Sequence, residues 1–196
     1  MTPTFAFMLC LSLLPLLPSE LRLDLVFSGR PMRSTVEAAA MREVRRIWSV
    51  YGVDVRAVTP EHSRGSDLTL SITLVDGDKG AVHTLGMARF VDGQPQSTIV
   101  MYPDAIASLL SSEYLVIREC IKWAQECQDL LAGRVLGRAL SHELGHYLLR
   151  MPGHSPSGLM RAQPPADTLV DEEVRAFRLL AADANRFAAM RRQPCR

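Results

Sequence analysis

The spacing of the apolar residues changes at Pro103, and this change constrains the fold more than any other feature. Before it, short segments alternate apolar and polar residues, most clearly in DLTLSITLV from Asp67 to Val75. Such alternation is typical of strands with one buried face. After Pro103 most of the chain follows helical spacing. The sequence therefore predicts an α+β fold in which a sheet of about five strands precedes a group of helices.

The first half is predicted to contain five strands and one early helix that backs the sheet. The strands are Leu21–Phe27, Val53–Val58, Asp67–Val75, Leu85–Phe90 and Ser97–Tyr102. The helix spans Ser34–Tyr51, where Ser34 and Glu37 form a capping box and Gly52 ends the helix. Asp92 and Gly93 predict a turn between the last two strands.

The second half is predicted to be helical apart from one loop. The predicted helices are Asp104–Leu110, Glu113–Leu131, Arg134–Arg150 and Leu169–Arg191. Gly133 is expected to separate the second from the third, and Thr168 with Asp171 to cap the last. A stretch rich in Pro, Ser and Gly follows Met151 and predicts the loop.

Length and charge exclude several classes of protein. The 196 residues are 47% hydrophobic and 22% charged, with a formal net charge of +1, which excludes a disordered chain and gives no reason to expect a nucleic-acid partner. Arg191, Arg192 and Arg196 are expected to form an ordinary solvated terminus. We predict one domain over residues 20–196, with an upper part to about 150 and a small C-terminal part over 151–196. A domain of this size has its own core, so a metal site in it is expected to be functional.

The N-terminal apolar run and the cysteines bear on the compartment of the protein. The apolar run Phe5–Leu17 predicts an export signal over residues 1–19, and hence a secreted or extracytoplasmic protein with no stable membrane span; an uncleaved anchor or a buried first strand is the alternative. On a helix, Cys120 and Cys127 would lie beyond disulfide reach. Either could pair with Cys195, or all could be free thiols.

Three of the five histidines fall between residues 142 and 154, in the sequence HELGHYLLRMPGH. On a helix, His142 and His146 point the same way and can hold one ion, and imidazole suits Zn²⁺. Glu143 is rotated by about 100° from His142 around the helix axis, so it is better placed to reach a metal-bound water than the metal. This pattern indicates a general base for metal-assisted hydrolysis.

A catalytic zinc needs a third protein ligand, and His154 is the first candidate. It lies eight residues after His146, too far along a continuous helix. Pro152 disfavours helix at Met151, and Gly153 permits a left-handed turn, so the chain can double back and present His154. The sequence thus predicts a stop signal just before a third ligand.

From His142 to Met160 the chain resembles the metzincin clan of zinc metallopeptidases, which combine HExxH, a glycine-assisted turn to a third His and a methionine-containing turn, here Ser157-Gly158-Leu159-Met160. The resemblance implies a twisted sheet before the active-site helix and a peptide or protein substrate aligned along an edge strand, within Leu85–Phe90. The roles it implies are zinc binding by His142, His146 and His154, base catalysis by Glu143, and a hydrophobic floor from Met160.

The chain departs from the standard metzincin spacing. Leu149 and Pro152 occupy the positions of the usual glycine and third histidine, so His154 comes two places late, and no tyrosine follows Tyr147. In the gluzincin type of peptidase the third ligand is a glutamate on a later helix. Glu172 and Glu173 are therefore the alternative ligands.

The activity predicted is zinc-dependent endopeptidase hydrolysis with one catalytic ion. Candidates for oxyanion stabilisation are Tyr147, Arg150 and Arg161, and either Asp167 or Asp171 could accept a hydrogen bond from a ligand histidine. The alternative function is a zinc-binding interaction protein without turnover. Retention of Glu143 favours the enzyme, because a structural site has no use for a base beside two ligands.

Overall fold

The computed structural model describes residues 20–63, 65–76, 84–111 and 125–192, and places one five-stranded sheet in them. The strands are β1 (Leu21–Gly29), β2 (Val53–Val58), β3 (Leu68–Leu74), β4 (Gly86–Val91) and β5 (Gln94–Met101). Their order is β2-β1-β3-β5-β4, with parallel pairing throughout except for the antiparallel pair β4 and β5. β4 is therefore an edge strand.

The turn between β4 and β5 consists of Asp92 and Gly93. Both have positive φ, 50° and 74°, as a two-residue hairpin turn of type I′ requires. The predicted Asp-Gly turn is confirmed, and the intervening loop is shorter than expected because β5 already begins at Gln94.

The helices are α1 (Ser34–Trp48), α2 (Pro103–Ser111), α3 (Gln125–Leu149), α4 (Ala166–Val170) and α5 (Ala181–Arg192), with short 3-10 turns at Ser49–Tyr51, Pro60–His62 and Arg175–Phe177. Their apolar faces and the inner face of the sheet form one core. The predicted mixed sheet with an early backing helix, an active-site helix and a C-terminal helix is confirmed.

The predicted break at Gly133 is wrong, because α3 continues through it. A Cβ at Gly133 would lie 2.4 Å from the Cβ of Ala39, and one at Gly137 would lie 2.6 Å from the carbonyl oxygen of Ala40. Both glycines therefore serve the close contact between α3 and α1. Residues 113–124 of the helix predicted over Glu113–Leu131 lie outside the described residues.

The capping box predicted for α1 is also wrong. Arg33 is the N-cap residue, and no side chain caps the helix. Thr35 and Arg33 instead bind the carboxylate of Asp129 on α3. The start of α1 is thus held by a contact with another helix rather than by its own side chains.

The C-terminal part is not the single helix predicted over Leu169–Arg191. Thr168 lies inside α4 and Asp171 directly after it, so neither caps a helix in the predicted way. The physical reason is that arginines of α3 bind carbonyl groups which a continuous helix would use: Arg134 binds that of Val170 at 2.6 Å, and Arg138 binds those of Thr168 and Glu173 at 2.6 and 3.2 Å. Those contacts hold the chain between α4 and α5 in irregular conformation.

Two other features concern the chain ends and cysteines. In the described ranges no helix is both long and apolar enough to cross a membrane. Cys127 is disulfide-bonded, and the other three cysteines of the chain lie outside those ranges, as does the run Phe5–Leu17. A free thiol is therefore the wrong expectation for Cys127.

Candidate metal centre

Two histidines of α3 face each other across one helical turn. The Nε2 atoms of His142 and His146 lie 3.1 Å apart. Two nitrogens bound tetrahedrally to one zinc ion at about 2.05 Å would lie about 3.3 Å apart. The spacing of these residues on the helix thus brings their rings to a separation that fits a shared ion.

The hydrogen bonds of the two Nδ1 atoms show which ring nitrogens are free to bind an ion. Nδ1 of His142 donates to the carbonyl oxygen of Leu159 at 2.7 Å, and Nδ1 of His146 donates to that of Met151 at 2.6 Å. Because a carbonyl only accepts, each Nδ1 carries the proton, and each neutral ring presents an unprotonated Nε2. These backbone carbonyls orient the two imidazole rings, as the hydrogen-bond partners of metal-binding histidines do.

The close approach of the two Nε2 atoms is therefore not a hydrogen bond. Burial lowers the pKa of His142 to about 4 and lowers the pKa of His146 below its ordinary value, so both rings are neutral at neutral pH. Two lone pairs directed at each other repel unless a cation lies between them. The pair therefore has the chemistry of a cation site.

His154 joins this pair from the loop after α3. One nitrogen from each of the three histidines lies within 4.8 Å of the others, and His154 is the exposed member. Its ring stacks on His142 at 5.2 Å between centroids and meets His146 edge-on at 4.9 Å. The structure thus brings together the three histidines named from the sequence.

The turn that presents His154 differs from the one expected. The left-handed residue is Arg150, with a φ of 46°, and the N–H of Met151 bonds to the carbonyl of His146 at 3.1 Å, as at many helix C-termini. Gly153 does not have positive φ and has nothing within 4 Å of an added Cβ. The predicted role of Gly153 is therefore wrong, because the helix has already ended in a left-handed residue three positions earlier.

Met160 lies beneath the histidines and is fully buried. A Cβ at Gly145 would lie 2.3 Å from its sulfur, so Met160 packs directly on the helix backbone between the two histidines. The N–H of Ser155 donates to the carbonyl of Met160 at 2.8 Å, and the side chain of Ser155 bonds to Asp183 on α5 at 2.7 Å. The methionine turn is thereby anchored to both α3 and α5.

Glu143 lies between the histidines and the edge strand. The residue is 8% exposed, and its Oε2 accepts a hydrogen bond of 2.7 Å from the backbone N–H of Ala88. Burial raises the pKa of its carboxyl group to about 7, although the bond from Ala88 acts in the opposite direction. A carboxyl group with a pKa near neutrality can both accept and return a proton.

A cavity of about 710 Å³ opens on the three histidines and Glu143. Its walls come from β4, from α3, and from the chain between His154 and Phe177; they include Gly86, Ala88, Arg138, Ala139, Arg161 and Leu169. Such volumes are typical of ligand sites. The site is therefore accessible to a ligand much larger than an ion.

The candidates for oxyanion stabilisation and for a hydrogen bond to a ligand histidine occupy different places in the structure. Of Tyr147, Arg150 and Arg161, only Arg161 lines the cavity. Asp167 and Asp171 accept hydrogen bonds from neighbouring backbone amides, those of Thr168 and Glu173. The Nδ1 atoms of His142 and His146 donate to backbone carbonyls instead.

Neither alternative glutamate reaches the histidines. Glu172 is 91% exposed and faces Arg134 at 3.6 Å, and Glu173 pairs with Arg175 at 3.2 Å. Both lie in the irregular segment after α4, because the helix that would have presented them does not form.

Three features of the site could not be named from the sequence. The carbonyls of Met151 and Leu159 and the N–H of Ala88 are backbone groups, which every residue type carries, so no letter marks them. Arg138 had a usable signal, since it lies four residues before His142 on the same helical face. It is fully buried, bonds to Glu43 at 2.7 Å, and lies over the ring of Phe177 at 4.5 Å.

Comparison with known proteins defines the class of fold. No family model and no curated protein matches the sequence. The crystal structure of archaemetzincin from Methanopyrus kandleri is similar, with a TM-score of 0.52 and 18% sequence identity, over 87% of this chain and 94% of that chain. The protein therefore has a mixed α+β fold like that of archaemetzincin, and this likeness concerns the fold alone.

Proposed function

We propose that the protein is a zinc-dependent metallopeptidase that cleaves internal peptide bonds. The observation that carries this proposal is the pair of unprotonated Nε2 atoms of His142 and His146, 3.1 Å apart, with His154 beside them. Three imidazoles are a ligand set that suits Zn²⁺ and leaves a fourth position for water or substrate. The likeness of this fold to that of archaemetzincin is consistent with this function.

The chain's own residues supply the acid–base chemistry. A bound zinc ion would polarise the scissile carbonyl and lower the pKa of a water molecule towards about 7. Glu143 would accept a proton from the attacking water and deliver it to the leaving amine. Its bond to Ala88 occupies Oε2 and leaves Oε1 for this transfer.

The substrate would lie along β4. This strand is at the sheet edge and lines the cavity beside Glu143. The N–H of Ala88 points away from β5, since Glu143 accepts it, and the carbonyl of the same residue shares that direction in an extended strand. An extended peptide could therefore pair with this edge and run past the histidines.

The test combines metal content with cleavage. Zinc is measured by mass spectrometry in the wild type and in Glu143→Gln, and both are assayed on a peptide library. We expect equal zinc in the two proteins and cleavage by the wild type alone. Zinc in both with no cleavage by either would favour the zinc-binding protein without turnover, and absence of zinc from both would reject the metal site.

We also propose that the protein is exported. This proposal rests only on the apolar run Phe5–Leu17. Fractionation of cells that express the full chain, with N-terminal sequencing of the product, would test it. A product that retains Met1 and stays in the cytoplasm would contradict it.

A further inference from the structure

The charged side chains in the cavity wall differ in whether they have a hydrogen-bond or ion-pair partner among the described residues. Among the lining residues that the structure describes, three carry a formal charge: Arg138, Glu143 and Arg161. Arg138 is paired with Glu43 at 2.7 Å, and Glu143 is bonded to the N–H of Ala88. Arg161 makes no side-chain hydrogen bond or ion pair within those ranges.

The backbone around Arg161 is held firmly, although its side chain has no hydrogen-bond or ion-pair partner among the described residues. Its N–H bonds to the carbonyl of Gly158 at 3.2 Å, and it forms a bridge with Ser155. The preceding residue, Met160, is fully buried, and the carbonyl of Leu159 orients His142. Arg161 thus places a positive charge in the cavity wall two residues after Leu159, whose carbonyl orients the candidate ligand His142.

No acidic lining residue other than Glu143 is available to neutralise this guanidinium in the described ranges. An arginine presents a planar fork of donors that matches a carboxylate. We propose that Arg161 selects substrates that carry a carboxylate close to the scissile bond, either an acidic side chain or the C-terminal carboxylate of a short peptide. The inference rests on the proposed function for the substrate being a peptide.

A role in selection differs from the oxyanion role considered for Arg161 above. A residue that stabilises the oxyanion affects neutral and acidic peptides equally, and its effect falls on turnover. A residue that binds a carboxylate discriminates between the two peptides and does so without turnover. Binding to an inactive protein therefore separates these roles.

The experiment uses the full chain with Glu143→Gln, loaded with zinc. N-acetylated, C-amidated hexapeptides that differ only by Glu or Gln at one position are compared at each position by their Kd. A second pair differs only by a C-terminal acid or amide. We expect the acidic member to bind about threefold to tenfold more tightly in at least one pair, with the preference weakening at high salt.

Further substitutions assign the preference. Arg161→Gln should reduce it to within twofold, and Arg161→Lys should keep part of it. Arg42→Gln removes an exposed arginine of α1 that is distant in sequence and not in the cavity wall, and should leave the preference unchanged. A response in the Glu and Gln pairs identifies an acidic side chain, and a response in the terminal pair identifies the C-terminal carboxylate.

Two outcomes would overturn the inference: equal binding of acidic and neutral peptides at every position, or a preference that survives Arg161→Gln. These outcomes are independent of the proposed function. A carboxylate preference without hydrolysis by the wild type would remove the peptidase assignment and keep Arg161 as a carboxylate-binding residue. Equal hydrolysis of acidic and neutral peptides would keep the peptidase assignment and reject the role of Arg161.

Discussion

The carboxylate of Glu143 on α3 accepts a hydrogen bond of 2.7 Å from the backbone N–H of Ala88 on the edge strand β4. One residue of the edge strand thus orients the proposed base and, through its carbonyl, also faces the proposed peptide. The closeness depends on Gly86, whose added Cβ would lie 3.1 Å from Cγ of Glu143 and 2.6 Å from the sulfur of Met101.

Removal of the Ala88 donor should disturb the base without disturbing the metal. Ala88→Pro deletes the N–H on the outer side of an edge strand, where proline is tolerated. Because that bond lowers the pKa of Glu143, we expect the acidic limb of the kcat/KM profile to move to higher pH, with unchanged zinc content. An unchanged pH profile in a folded, zinc-loaded variant would contradict the positioning role of Ala88.

Ionisation of Glu143 should cost stability in the metal-free protein. Its folded-state pKa of about 7 lies above the ordinary 4.5, so the protonated form favours folding; this contribution is complete below pH about 4.5 and is lost as the pH rises through about 7. Glu143→Gln cannot ionise. Relative to the wild type, its free energy of unfolding should rise by on the order of 3 kcal/mol between pH 4 and pH 8. A difference that is independent of pH, measured by urea denaturation, would show that the carboxyl group is not held in this way.

The same change should be harmful at Gly145 and neutral at Gly153, two glycines near the site. Gly145→Ala places a methyl group 2.3 Å from the sulfur of Met160, and such overpacking costs about 1–3 kcal/mol and should weaken zinc binding by displacing the methionine turn. Gly153→Ala is the matched control, because nothing lies within 4 Å of its added Cβ. Thermal unfolding and zinc titration check both. Equal behaviour of the two variants would mean that Met160 does not support the site.

The third ligand can be tested by three alanine substitutions. His154→Ala should weaken zinc binding strongly, because a catalytic site has three protein ligands. Glu172→Ala and Glu173→Ala should leave it intact, since both side chains pair with arginines away from the histidines. Competition with a chelator of known affinity measures all three, and the reverse pattern would move the site to the glutamate-ligand class.

Local periodicity carried most of what could be predicted. Leu68, Leu70, Ile72 and Leu74 alternate, so β3 could be located, and Asp92-Gly93 identified the hairpin. His142 and His146 share a helical face whatever surrounds the helix. Gly133 misled because a glycine can end a helix or admit a neighbouring one, and only the neighbour, Ala39, distinguishes these cases.

The sequence by itself determined the alternation of strands, the helical spacing of two histidines with an adjacent carboxylate, and the presence of a third histidine beyond a helix stop. All of these are relations between residues a few positions apart. Only the tertiary structure decided that Arg150 ends the helix, that the carbonyls of Met151 and Leu159 orient the imidazoles, and that Arg134 and Arg138 hold the C-terminal part out of helix. Most of these contacts join segments that are distant in sequence, as Arg138 and Thr168 are. Even the local contact between His146 and Met151 uses a backbone carbonyl, a group that is the same in every residue, so no local pattern can encode it.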